Sequence, residues 1–164
     1  MKRNSKKRKR GSRTQAGRAN PQTNAQPKVY KKIKFRSELE VYMYKLLESS
    51  EIPFAYEAQK FVIIEGFHSP NISFERFLNG KGEYKDRGDK KYGDMKYTPD
   101  FTPPPDKLLD WVIEVKGRTM PDFSRTWKLF KKLLLERELK TVLYMPRTQK
   151  ECRETLELII KQYE

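Results

Sequence analysis

Apolar side chains recur every three or four residues in three stretches of this chain, which is the spacing of an amphipathic helix. The first stretch predicts a helix over residues 37–49, and Ser37 with Glu40 fits a capping box at its start. The second predicts a helix from residue 122 or 124 to about residue 139. The third predicts a last helix over residues 150–162. Three helices are therefore expected.

β-Branched and aromatic residues without that spacing predict strands between the helices. One or two strands are expected over residues 54–64, and others over 97–102, 110–116 and 141–145. Residues 66–96 lose all periodicity and predict a long hairpin or a mobile insertion. The order of helix, strands, helix, strand and helix predicts a mixed α/β domain whose β-sheet is flanked by helices.

The N-terminal stretch has neither pattern, because Val29 is its first β-branched aliphatic residue. Lysine, arginine, asparagine, glutamine, serine, glycine and proline dominate it, a composition that cannot bury a core. The sequence therefore predicts a disordered basic tail over residues 1–30 and one folded domain over residues 31–164.

The net positive charge is concentrated in the same N-terminal part of the chain. The first 36 residues hold 14 lysines and arginines and no acid, so the formal charge of +14 resides in this part of the chain. Such a basic tail binds polyanions, because its cations release counterions from the phosphates. The densest run either binds nucleic acid or, in a eukaryote, is a nuclear localisation signal; its residues are Lys6, Lys7, Arg8, Lys9 and Arg10.

Several classes of protein are excluded by what the chain lacks. Cys152 is the single cysteine and His68 the single histidine, so there is no internal disulfide, zinc cluster or histidine-based triad. No apolar run is long enough to span a membrane, and no hydrophobic segment follows the N-terminal charges as in a secretory signal. We expect a reducing, cytoplasmic setting, which is the host cytoplasm if a phage encodes the protein.

Candidate chemistry lies between residues 97 and 117. Asp100 follows a proline, and Glu114 and Lys116 stand two apart in a predicted strand, so both project from one face. Carboxylates that share a small site repel one another unless a cation lies between them, and oxygen ligands suit Mg²⁺. Lys116 is then the best candidate to orient or deprotonate a water. The alternatives are a turn acid at Asp100 and an exposed ion pair between Glu114 and Lys116.

Glu40 is a further candidate, because it projects from the same side of its helix as Met43 and Leu47. It either only caps the helix or also lends a carboxylate to the site.

The pattern of Asp, then Glu-x-Lys on a following strand, resembles the PD-(D/E)xK nuclease superfamily, and within it the phage endonuclease I family of Holliday-junction resolvases. The matching segments are Phe35-Arg36-Ser37-Glu38-Leu39-Glu40, Phe54-Ala55-Tyr56-Glu57, Tyr97-Thr98-Pro99-Asp100-Phe101 and Glu114-Val115-Lys116-Gly117. The resemblance implies a restriction-endonuclease-like core, with Asp100 and Glu114 as metal ligands, Lys116 as the catalytic lysine and Glu40 as an extra acid. It also implies a homodimer in which a strand is exchanged, although residues 66–96 are longer than the corresponding connection.

The expected function is a DNA endonuclease selective for branched DNA that uses one or two Mg²⁺ or Mn²⁺ ions, with the Val115 carbonyl as a further ligand. Past the site, Arg118, Arg125 and Lys128 are expected to contact DNA together with the basic tail. One alternative is a non-catalytic basic nucleic-acid-binding phage protein. Another is a nuclease subunit that relies on a partner for targeting.

Overall fold

The computed structural model describes residues 28–117 and 121–164. Three helices lie within a few residues of their predicted positions: α1 (Glu38–Ser49), α2 (Pro121–Glu136) and α3 (Gln149–Tyr163). Ser37 caps α1, as predicted, by accepting the N–H of Glu40. None of the helices in the described residues is long and apolar enough to cross a membrane.

Twelve short strands lie in the same part of the chain: β1 (Lys28–Tyr30), β2 (Ile33–Phe35), β3 (Ala55–Tyr56), β4 (Phe61–Ile64), β5 (Phe67–Ser69), β6 (Phe74–Glu75), β7 (Lys85–Asp86), β8 (Lys90–Tyr92), β9 (Met95–Tyr97), β10 (Phe101–Thr102), β11 (Trp111–Ile113) and β12 (Val142–Tyr144). The central sheet has the order β12-β11-β10-β3. β11 is parallel to β12 and antiparallel to β10, which is antiparallel to β3. The predicted mixed α/β class is confirmed.

Helices cover both faces of this sheet, and because side chains alternate along a strand, β11 contributes to both apolar layers. Trp111, Ile113 and Val115 pack on one face with α1 and α3, and the single cysteine, Cys152, is buried among them. Val112 packs on the other face with α2. Each fully buried large apolar side chain contributes about 1.5–3 kcal/mol relative to an exposed one. The two layers hold the sheet and thus the ends of its strands in place.

Residues 61–97 form a long hairpin, which we call the arm. Its pairs follow one another outward as β4 with β9, β5 with β8, and β6 with β7, all antiparallel. The hairpin alternative predicted for residues 66–96 is therefore the one observed. Aromatic side chains on the arm remain exposed, including Phe74 at 58% and Tyr84 at 63%.

The single strand predicted over residues 97–102 is wrong. β9 ends at Tyr97 in the arm, and β10 begins at Phe101 in the central sheet. Pro99 lies between them, and proline cannot donate the ladder hydrogen bond that a continuous strand would need. The connection therefore ties the root of the arm directly to the central sheet.

A small hairpin of β1 and β2 precedes α1. It turns at Lys31 and Lys32, whose φ angles of 48° and 66° are left-handed, and it ends at Phe35, which is fully buried. Strand β1 therefore begins at Lys28, three residues before the predicted start of the folded domain. Most of the predicted tail, including the run from Lys6 to Arg10, lies outside the described residues.

Candidate active site at one end of the central sheet

Three strands of the central sheet bring polar residues to the same end. Glu114 follows β11 and Glu57 follows β3, whereas Asp100 precedes β10. Because β10 runs antiparallel to both neighbours, the start of β10 lies beside the ends of β3 and β11. A 2.9 Å hydrogen bond from the Glu57 N–H to the Asp100 carbonyl holds two of these strand ends together.

Asp100 and Glu114 lie directly across from each other. Phe101 pairs with Ile113, so the next position in the same register places Asp100 opposite Glu114, with both side chains on one face. The side chains are nearly inaccessible, at 1% and 2% exposure. The sequence prediction that these two carboxylates converge is thus reproduced by the geometry.

The folded structure disfavours the ionised form of the Asp100 carboxyl group. Its Oδ2 accepts the Val115 N–H over 2.7 Å, and none of the described residues donates a hydrogen bond to Oδ1. Burial, then the negative charges of Glu114 and Glu40, raises the pKa of Asp100 to about 8. Below about pH 8 the folded chain therefore holds Asp100 mainly in its neutral, protonated form, unless a cation binds beside it.

Glu114 is held at both carboxylate oxygens. Lys116 Nζ lies 2.7 Å from Oε1, and the Tyr97 hydroxyl donates to Oε2 over 2.5 Å. Burial and the charge of Glu114 raise the pKa of Tyr97, so this hydroxyl stays a donor. The ring of Phe123, at the start of α2, lies 4.6 Å from Lys116 Nζ and offers the ammonium a second contact. Lys116 can therefore leave Glu114 without losing every favourable contact.

Pro99 explains why the Val115 carbonyl is available beside these acids. In the register of β10 and β11, Pro99 is the residue opposite Val115, where an ordinary residue would donate its N–H to that carbonyl. Proline has no N–H, and no other described residue donates to the Val115 oxygen. The Val115 N–H, in turn, is bound by Asp100 instead of by the neighbouring strand. The Val115 carbonyl, on the residue that follows Glu114, is therefore available to bind a ligand.

Glu40 is buried, at 4% exposure, but its carboxylate is already engaged. Ser37 Oγ donates to Oε1 over 2.9 Å, while the Tyr56 hydroxyl and the Arg36 N–H donate to Oε2 over 2.8 and 3.0 Å. Moreover, α1 packs on the face of the sheet opposite to that of Glu114. Across residues 28–117 and 121–164, no three acid, histidine or cysteine side chains are grouped to hold a metal ion. Two acids and one amine meet, and Glu40 contributes only its charge.

The residues predicted to contact DNA fall into two groups. Arg125 and Lys128 are exposed near the start of α2, within a few residues of Phe123, and Arg125 lies 3.8 Å from Asp122. Arg118 and the tail residues lie outside the described part of the chain. The two exposed cations are next to the site along the sequence, but no contact ties them to the acids.

Comparisons with protein families, with curated proteins and with solved structures found no match to this chain.

Sequence reasoning missed the partners that orient the site. Tyr97 stands in the matched Tyr-Thr-Pro-Asp segment, yet nothing in the sequence indicates that its hydroxyl reaches Glu114 from a different sheet. Phe123 lies at the predicted start of the second helix, and only the fold brings its ring to Lys116. Arg36 and Glu57 both stand in matched segments, and only the fold shows that they form an ion pair.

Proposed function

We propose that this chain is a divalent-metal-dependent endonuclease that hydrolyses phosphodiester bonds in DNA. The observation that carries the proposal is the buried Asp100–Glu114 pair, in which Lys116 contacts Glu114 and the pKa of Asp100 is raised to about 8. Burying two carboxyl groups side by side disfavours the ionised form of one of them, and groups perturbed in this way are concentrated at functional sites.

The donor set fits a hard cation such as Mg²⁺ or Mn²⁺. Asp100, Glu114 and the Val115 carbonyl offer oxygen atoms only, and Mg²⁺ is commonly held by one or two carboxylates together with water and substrate phosphate. When bound there, such an ion supplies an activated water and neutralises charge on the leaving oxygen. Glu40 raises the negative potential at Asp100 from the other side.

The chain's own residues have separable roles. Tyr97 keeps Glu114 Oε2 in a fixed position, and Asp100 Oδ2 is fixed by the Val115 N–H. Lys116, whose side chain is 24% exposed, is the residue able to face a water or a phosphate oxygen. Its ammonium can orient the water or, after losing a proton, take one from it.

The wider proposal is a restriction-endonuclease-like core of the PD-(D/E)xK type that acts on branched DNA. It is supported by the mixed sheet with helices on both faces and by the position of Asp100, Glu114 and Lys116 at one end of that sheet. The resemblance to phage resolvases is the basis for proposing a preference for branched DNA and a homodimer. The basic tail supplies sequence-independent affinity.

Cleavage of a supercoiled plasmid and of a synthetic four-way junction tests the proposal, with Mg²⁺, with Mn²⁺ and with EDTA. We expect cutting with either ion, none with EDTA, and at least a hundredfold loss in Asp100→Ala or Lys116→Ala while DNA binding persists. Asp106→Ala and Lys107→Ala, exposed residues of the nearby proline-rich turn, are matched controls and should cut normally. Binding without cutting in every metal would instead favour a non-catalytic nucleic-acid-binding protein.

A further inference from the structure

A second cation stands at the same end of the central sheet as the acids, and the candidate mechanism does not use it. Arg36 lies between β2 and the cap of α1, and its side chain is 64% exposed. Its guanidinium pairs with Glu57, which directly follows β3. The charges of Glu57, Asp100 and Glu40 all act on it. Arg36 is therefore an exposed cation within electrostatic reach of the buried acids.

The backbone around this pair is built to hold it. Glu57 has a left-handed φ of 46°, away from any helix end, which costs a residue with a Cβ about 1 kcal/mol or more. Its N–H binds the Asp100 carbonyl over 2.9 Å, and the Arg36 N–H binds Glu40 Oε2 over 3.0 Å. Both members of the ion pair are thus fixed through their own backbone N–H groups, Glu57 to Asp100 and Arg36 to Glu40.

The order of strands gives the approximate spacing of the strand ends at which the two cations lie. β10 lies between β11 and β3, so Asp100 is flanked on one side by Lys116 with Glu114 and on the other by Arg36 with Glu57. Neighbouring strands are about 4.8 Å apart, so these flanking positions are separated by about 10 Å across the end of the sheet. A polyanionic strand that crosses the sheet end at Asp100 would meet a cation on each side.

We propose that Arg36, oriented by Glu57, is a phosphate-binding residue that contacts the DNA backbone next to the phosphate at Asp100. A guanidinium has five N–H donors in a planar fork, and the pair with Glu57 leaves donors for a phosphate. The inference deepens the proposed nuclease function and rests on it for the position of the scissile phosphate. The binding itself can be tested whether or not the chain cuts.

The experiment measures binding of the full chain to a labelled 30-base-pair duplex and a four-way junction in EDTA, over a range of salt concentrations. Arg36→Gln should weaken binding to both by about fivefold to tenfold and reduce the salt slope by about 0.9. Arg153→Gln is the matched control, since it removes an exposed arginine of α3 that binds the Tyr42 hydroxyl. It should retain the wild-type affinity.

A double variant separates phosphate binding from a merely structural ion pair. Arg36→Gln alone leaves the charge of Glu57 unpaired, and that charge by itself repels DNA. Arg36→Gln with Glu57→Gln removes both charges: continued weak binding supports a phosphate contact, whereas a return to wild-type affinity overturns it. Unchanged binding of the single variant overturns it as well.

Two further measurements keep the test decisive. If Arg36→Gln lowers the thermal midpoint, Arg36→Lys, which keeps the ion pair and the charge, should bind about twofold to threefold more weakly because it lacks the fork. In a cleavage assay, Arg36→Gln should raise KM with kcat nearly unchanged, as expected for a contact made equally in ground and transition states. If the wild type does not cut, the proposed function fails while the binding comparison still decides the role of Arg36.

Discussion

The Tyr97 hydroxyl donates a 2.5 Å hydrogen bond to Glu114 Oε2 within the apolar layer beneath α2. The bond joins the root of the arm to the central sheet, because Tyr97 ends β9 and Glu114 follows β11. A hydrogen bond to a buried charge contributes more than one between neutral groups.

Tyr97→Phe should lower the free energy of unfolding by about 1.5–3 kcal/mol. The ring would keep its packing against Phe130, at a centroid distance of 4.8 Å, so the loss reports the hydroxyl alone. Urea denaturation followed by tryptophan fluorescence measures the change. Tyr84→Phe, at an exposed position on the arm, is the control and should stay within about 0.5 kcal/mol of wild type. Equal stabilities of wild type and Tyr97→Phe would contradict the assigned bond.

Stability without divalent ions should fall as the pH rises from about 4 to about 8. The pKa of Asp100 is raised to about 8 by burial and by Glu114, from an ordinary value of 3.8, so the unfolded chain loses its proton at lower pH than the folded chain. Below about pH 4 the folded and unfolded chains both hold the proton, so the free energy of unfolding is unaffected. Above about pH 8 both have lost it, and the free energy of unfolding is lower by an amount on the order of a few kcal/mol.

Asp100→Asn isolates that contribution, because an amide does not titrate. The difference in unfolding free energy between variant and wild type should grow in favour of the variant between pH 5 and pH 8, as measured by urea denaturation in EDTA. A difference that does not change with pH would contradict the raised pKa.

Divalent ions should stabilise the wild type and not Asp100→Asn. An ion that binds only the folded state at one hundred times its dissociation constant adds about 2.7 kcal/mol. We expect Mg²⁺ or Mn²⁺ to raise the thermal midpoint more at pH 8 than at pH 6, because Asp100 must lose its proton to bind. NaCl at equal ionic strength is the control. An equal rise in wild type and variant would place the ion elsewhere.

Pro99→Ala should weaken ion binding while the chain stays folded. Alanine supplies the N–H that the Val115 carbonyl lacks, and a neutral hydrogen bond worth about 0.5–1.5 kcal/mol would compete with the ion. This energy corresponds to a loss of about twofold to tenfold in affinity, measurable by calorimetric titration with Mn²⁺. Pro105→Ala, in the exposed turn, should bind like the wild type.

Gly88→Ala should unfold strands β5 to β8 of the arm and leave the candidate active site folded. A Cβ at Gly88 would overlap the backbone carbonyl of Asn71, whereas one at Gly93 would meet open space. Amide hydrogen exchange should therefore show lost protection in β5 to β8 for Gly88→Ala, with β11 unchanged. Gly93→Ala is the matched control and should exchange like the wild type.

Local patterns predicted the helices and the class of fold. Ser37 and Glu40 identified the start of α1, because a capping box is formed by residues three apart in sequence. Glu114 and Lys116 could be assigned to one face because side chains two apart in a strand point the same way. These features depend on neighbours along the chain, and therefore they are visible in the sequence.

Contacts between distant segments could not be predicted in the same way. The helical pattern shows that Glu40 points inward but not which face of the sheet α1 covers, and that face keeps Glu40 apart from Glu114. The arm's register depends on pairings such as Phe67 with Tyr92, for which its mixed sequence gives no periodicity. The division of residues 97–102 into two strands likewise follows from their different partners.

Cys152 provides an internal reporter for all of these measurements. It is the single cysteine of the chain, its side chain is fully buried, and burial raises the pKa of its thiol to about 11. A maleimide or similar alkylating reagent can therefore reach a reactive thiolate only after the packing of α1, α3 and the sheet has opened. The rate of mass gain under native conditions then gives the opening equilibrium of each variant without any added label.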